Sequence, residues 1–148
     1  MKWTRTLTVM MIVLFSCAAQ AGQPKVEYHA VSPDMQLPFS EAVRVGNMLY
    51  LSGQLGYDRA LGKLVEGGIA AETQKTMENI KATLEKHGSS MAEVVKCTVF
   101  LADINEWAAM NEVYVTFFPT NPPARSALGS SGLALGARTE IECMATVK

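Results

Sequence analysis

The run EAVRVGNMLYLSG (residues 41–53) limits the fold more than any other stretch of the chain. Two β-prone segments of alternating character flank Gly46-Asn47. A two-residue turn of that composition tolerates positive φ and joins antiparallel strands, so a β-hairpin is predicted here. The second segment ends at Ser52-Gly53-Gln54, where a loop is expected to begin.

The periodicity changes after the hairpin. From Ile69 to His87 the residues Thr73, Met77, Ile80 and Leu84 recur at helical spacing, and Gly88 follows as a stop. VVKCTVFL (94–101) then reads as a buried strand. Val95, Cys97, Val99 and Leu101 are predicted on one face, with Lys96, Thr98 and Phe100 on the other. A second helix is predicted from about Asn105, capped by Asp103 or Asn105. Its stripe is Trp107, Met110, Tyr114 and Phe117, and Pro119 ends it. ARSAL (124–128) and TEIECMATV (139–147) close the chain as strands around the Gly-rich GSSGLALGA (129–137).

Helices alternating with strands require a sheet covered on one face, an α/β or α+β sandwich. The opposite face would carry Tyr50, Phe100 and Met144 among Lys96, Thr98, Glu140 and Glu142. That mixture is too apolar for free solvent and too polar for a monomer core, so burial between copies in a homo-oligomer is expected.

Residues 1–21 do not fit this domain. Lys2 and Arg5 form a positive start, Leu7 to Phe15 is almost wholly apolar, and Ala19-Gln20-Ala21 is a small-x-small cleavage site. This is the layout of a secretory signal peptide, and the protein is expected to be periplasmic or secreted. Leu14-Phe15-Ser16-Cys17 also loosely matches a lipoprotein signal, which would add an anchor without changing the fold. Residues 22–38, with Pro24, Pro33 and Pro38, read as an extended lead-in to a single domain over 39–148.

Without its first 21 residues the chain carries eleven basic and fourteen acidic residues. A phosphate-binding surface needs clustered Lys and Arg, which the sequence lacks, so a nucleic-acid partner is not expected. Cys97 and Cys143 are then the remaining cysteines, each inside an apolar run. Small buried hydrophobes are the commoner use of such positions, and a disulfide, which export would permit, stays open. There is no C-x-x-C, and His29 and His87 stand alone, so no metal site is predicted.

Arg125, Glu142 and Ser52 fall where strands meet loops or turn polar. Arg125 follows Pro122-Pro123-Ala124, and its planar fork of donors suits a carboxylate. A purely structural ion pair with Glu140 or Glu142 across a final hairpin would account for it equally well. Glu142 has apolar neighbours on both sides, a setting that suits proton transfer. Its alternative is a satisfied interface carboxylate. Ser52 has no base nearby in sequence and reads as a hydrogen-bond donor or as a turn residue.

VGNMLYLSGQ, ENIKATLEKHG, VVKCTVFLADINEWAAMNEVYVTFF, PPARSAL and EIECMAT, taken in order, resemble the Rid family of reactive-intermediate deaminases. The likeness runs from about Phe39 to the C-terminus, and PARS with EIE is its most specific part. It implies a chorismate-mutase-like fold, with two helices on one face of a mixed sheet. It also implies a homotrimer with a central barrel and clefts between subunits. The implied chemistry is cofactor-independent hydrolysis of 2-imino acids to 2-oxo acids and ammonia. In that reading Arg125 binds the substrate carboxylate and Glu142 activates water. Ser52, the Gly53 N–H and Asn111 contribute to the pocket. Two further pocket positions depart from the family: Phe39 lacks the hydroxyl of the usual Tyr, and Ala127 stands where Cys is frequent. A carboxylate-binding protein without turnover is the alternative. RNA cleavage, proposed for some relatives, is disfavoured by the acidic charge.

Overall fold

A computed structural model describes residues 22–148; residues 1–21, where a signal peptide is expected, lie outside the described residues. The strands are β1 (Val26–His29), β2 (Ala42–Val45), β3 (Met48–Leu51), β4 (Gln54–Leu55), β5 (Tyr57–Asp58), β6 (Lys63–Leu64), β7 (Val94–Leu101), β8 (Ala124–Gly129) and β9 (Thr139–Thr146). The helices are α1 (Gly68–Lys86) and α2 (Trp107–Tyr114). No helix among the described residues is long and apolar enough to cross a membrane.

The main sheet runs β1-β2-β3-β9-β7-β8, with β4 also pairing to β9. The predicted hairpin is β2–β3, with Val45 opposite Met48 and Gly46 at φ 59° in the turn. The loop predicted at Ser52 is only a break: the chain resumes as β4, and β3 and β4 both run against β9. Part of the lead-in belongs to the sheet, where β1 pairs with β2 as the edge strand. β5 and β6 form a small separate hairpin in which the Asp58 carboxylate accepts from the Ala60 and Leu61 N–H groups.

One side of the sheet meets the helices. Leu49, Cys97, Val99, Leu101, Ile141, Cys143 and Ala145 are buried there against Met77, Ile80 and Leu84 of α1 and Met110 of α2. Complete burial of each large aliphatic side chain contributes about 1.5–3 kcal/mol relative to exposure. A bulge between Val94 and Lys96 shifts the register of β7. It turns Val94 into the core and leaves Val95 exposed, the reverse of simple alternation.

The expected final hairpin does not form. β7, α2 and β8 make a crossover unit in which β8 pairs parallel to β7, and β9 lies on the far side of β7. Cys97 and Cys143, placed opposite one another by the β7–β9 register, are joined by a disulfide with Cα atoms 4.1 Å apart. The expectation of plain buried cysteines is corrected to cysteines both buried and bonded. The stripe of α2 also divides: Met110 and Tyr114 are buried, whereas Trp107 stays 41% exposed. Asp103 caps the turn before α2 by accepting from the Asn105 N–H at 2.9 Å.

Candidate functional site

The predicted site residues fall into two groups on opposite sides of the sheet. Arg125 pairs in register with core-facing Cys97 and therefore points toward the helices, at the edge strand β8. Its guanidinium lies 4.7 Å from the Tyr114 ring centre and 5.4 Å from that of Trp107. Arg125 Nη1 donates to Asn111 Oδ1 at 2.7 Å. Trp107, Asn111 and Tyr114 are spaced by four and three residues, one face of α2. Ala127, two residues along the same side of β8, packs against the core.

The structural ion pair considered for Arg125 is absent. No carboxylate among the described residues lies within ion-pair distance of it, because β7 stands between β8 and the Glu140–Glu142 segment. A partly buried guanidinium with free in-plane donors is a ready receptor for a carboxylate.

Glu142 pairs with Thr98 and faces the open side. It lines a depression of about 110 Å³ with Tyr50, Leu51, Lys96, Thr98, Cys143 and Met144. Lys96 Nζ donates to Ser126 Oγ across this face at 2.8 Å. Glu140 shares the face, and its carboxyl is raised above the usual value by burial and then by the charge of Glu142. A Cβ built on Gly53 would sit 2.0 Å from Glu140 Oε1, so any side chain at the β3–β4 break would push that carboxylate out of its place. Sequence reasoning took Gly53 as a backbone donor and missed this second use. The signal available was Gly beside a strand opposite the EIE run.

Ser52 is fully engaged within the chain. Its hydroxyl donates to the Ser40 carbonyl at 2.6 Å, its N–H donates to the Glu41 carbonyl, and its carbonyl accepts from Gln54 Nε2. It fastens the segment carrying Phe39, whose ring is 55% exposed, to the end of β3. The structure thus places Ser52, Gly53 and Glu140 near one another, and Arg125 with Asn111 elsewhere; a single chain does not bring Arg125 and Glu142 together.

Glu41, not singled out from sequence, is a 3% exposed carboxylate held by Lys86 Nζ at 2.5 Å, His87 Nε2 at 3.1 Å and Arg59 Nη2 at 3.3 Å. Burial pushes its carboxyl up, but the hydrogen bonds from Lys86 and His87 and the charges of Lys86 and Arg59 outweigh this and hold it below the usual value. His29 and His87, distant in sequence, stack at 4.4 Å beside it. No group of three or more His, Cys, Asp or Glu side chains among the described residues is placed to hold a metal ion.

This fold and pattern are shared with known proteins. The profile of the family described as Endoribonuclease L-PSP, the YjgF/Rid family, matches residues 29–147. The chain belongs to the Rid family. Its sequence is 43% identical over 121 residues to a protein of Bos taurus named 2-iminobutanoate/2-iminopropanoate deaminase, covering 82% of this chain and 88% of that one. RidA from the Antarctic bacterium Psychrobacter is similar in structure, with a TM-score of 0.72 and 40% identity, covering 78% of this chain and 94% of that one. The Rid-family protein YyfA of Yersinia pestis gives a TM-score of 0.76 at 34% identity, covering 83% of this Rid chain and 100% of its own.

Proposed function

We propose that this Rid protein hydrolyses 2-imino acids to 2-oxo acids and ammonia in a cleft formed by two copies of the chain. The observation that carries the reading is the division of the site. A carboxylate receptor, Arg125 with Asn111, lies toward the helices, and a carboxylate suited to acid–base work, Glu142, lies on the open face. A second copy docked on the open face supplies what each side lacks. Tyr50, 39% exposed, and Leu128, 42% exposed, are among the apolar side chains such docking would cover. A closed homotrimer with its open faces around a central barrel is the arrangement we favour. The deaminase name of the bovine relative supports the chemistry.

Arg125 of one copy grips the substrate carboxylate and fixes the imine carbon near Glu142 of the next. Glu142 takes a proton from water as the oxygen attacks the C=N carbon, giving a carbinolamine. It gives that proton to the imine nitrogen, then carries the carbinol hydroxyl proton to the amino group as the C–N bond breaks, so that ammonia leaves and the 2-oxo acid remains. An imine already hydrolyses in water, so orientation and one acid–base group suffice without a cofactor. Phe39, without a hydroxyl, and Ser52, whose hydroxyl is spent on Ser40, remove two donors from the pocket. These features favour the second reading, carboxylate binding without turnover.

We further propose export, with residues 1–21 removed on the way. The Cys97–Cys143 disulfide supports an oxidising destination.

The test is imine removal by the mature domain, with an L-amino-acid oxidase generating imines from several amino acids. Acceleration that disappears in Glu142→Gln supports the enzyme. No acceleration with any imine, alongside 2-oxo acid binding that needs Arg125, selects the binding protein. RNA binding that weakens steeply with salt would contradict both.

A further inference from the structure

A half-buried cation ordinarily meets a carboxylate. Arg125 instead meets two aromatic rings and one amide oxygen, all from a single face of α2. We propose that Trp107 and Tyr114 are positioning residues that hold the Arg125 fork ready for its ligand, an inference that rests on Arg125 being the carboxylate anchor. A guanidinium carries all five N–H donors in its plane, while its faces are poorly hydrated and stack on aromatic rings. The two rings lie against the guanidinium and Asn111 takes one donor, so the group is held in place with other donors left for a ligand. Side-chain freedom that an isolated Arg would lose on binding is already lost here.

The Tyr114 hydroxyl sharpens the assignment. The residue is 3% exposed, yet its Oη has no hydrogen-bond partner among the described residues. Burial pushes that hydroxyl up to about 12, against an opposing effect of the Arg125 charge. A buried, unpaired hydroxyl contributes nothing to holding the ring in place. The ring is therefore the part of Tyr114 that serves Arg125. Trp107 completes the arrangement from two turns earlier, and it meets Arg125 while staying partly exposed.

The experiment uses the mature domain (residues 22–148), with 2-oxobutanoate binding measured by calorimetry and KM and kcat measured on 2-iminobutanoate. Tyr114→Leu and Trp107→Leu are expected to weaken 2-oxobutanoate binding by about 3- to 30-fold, the range of a partly desolvated cation–π contact. KM should rise by the same factor with kcat within about twofold, the mark of lost uniform binding. Tyr114→Phe, which keeps the ring, should recover the wild-type KM. Tyr114 is buried and its Leu variant could unfold, but Trp107 is 41% exposed and its variant decides the matter. A folded Trp107→Leu domain with wild-type affinity overturns the inference, as does Tyr114→Phe binding as weakly as Tyr114→Leu. If the unmutated domain itself binds no 2-oxobutanoate, the anchor reading fails and this inference with it. Failure confined to the variants leaves that reading standing.

Discussion

Reducing the Cys97–Cys143 bond should cost this domain a large part of its thermal stability. The cysteines are 46 residues apart, and the bond closes that length of chain, including α2 and β8, between β7 and β9. Loop-closure entropy for a ring of this size comes to about 4 kcal/mol at 25 °C, and measured disulfides typically give about 2–4 kcal/mol. A 127-residue domain unfolds with an entropy of roughly 0.27 kcal/mol per degree. The melting temperature should therefore fall by about 8–15 °C. Both cysteines are essentially inaccessible in the folded chain, so reductant must be added to unfolded protein, which is then refolded without oxygen. Oxidised and reduced samples of one sequence, melted at equal concentration, differ only in the bond. A reduced sample melting within about 3 °C of the oxidised one would refute the entropic argument. Two reactive thiols in protein denatured without reductant would refute the pairing itself.

Two carboxylates give opposite pH signatures. Glu41 is held below its usual value, so its contribution is present above pH 4.5 and is lost as pH falls through the lower folded value. Glu41→Gln should destabilise the domain at pH 7 by roughly 1–2 kcal/mol, since Arg59 and Lys86 are more than half exposed and screened, and the deficit should vanish in denaturant melts below that window. Glu140 is raised by burial and by Glu142, so its neutral form favours the fold and that contribution is lost as pH rises through the raised value. Glu140→Gln should therefore melt higher than the native chain at pH 7 and converge with it below pH 4.5; a lower melting temperature at pH 7 would contradict the burial argument.

The parts legible in the sequence were those set by short-range pattern. The β2–β3 turn, the face of α1 and the alternation of β9 all follow from neighbours within a few residues. The mixed open face was legible for the same reason: once β7 and β9 are strands, Thr98, Phe100, Glu140 and Glu142 must share a side. Strand order was not. Nothing local says that β8 pairs parallel to β7 and away from β9, and that choice sends Arg125 toward α2 and away from Glu142. The bulge at Val94–Lys96, the disulfide and the Glu41 cluster have the same origin, since each joins residues that are adjacent only after the sheet is assembled. Arg125 and Glu142 stood out by residue type and setting, motif resemblance gave them roles, and their separation came from topology.

That separation makes the central claim directly measurable. If each active cleft takes Arg125 from one copy and Glu142 from another, two dead variants must rescue one another. Arg125→Ala and Glu142→Gln domains, each inactive alone, would be unfolded together at equal amounts, refolded and assayed for 2-iminobutanoate hydrolysis. Random assembly in a closed ring leaves both residues intact in about one quarter of the clefts, so about one quarter of wild-type activity should return. A mixture that folds and assembles like the native protein yet stays inactive would contradict a cleft shared between two chains.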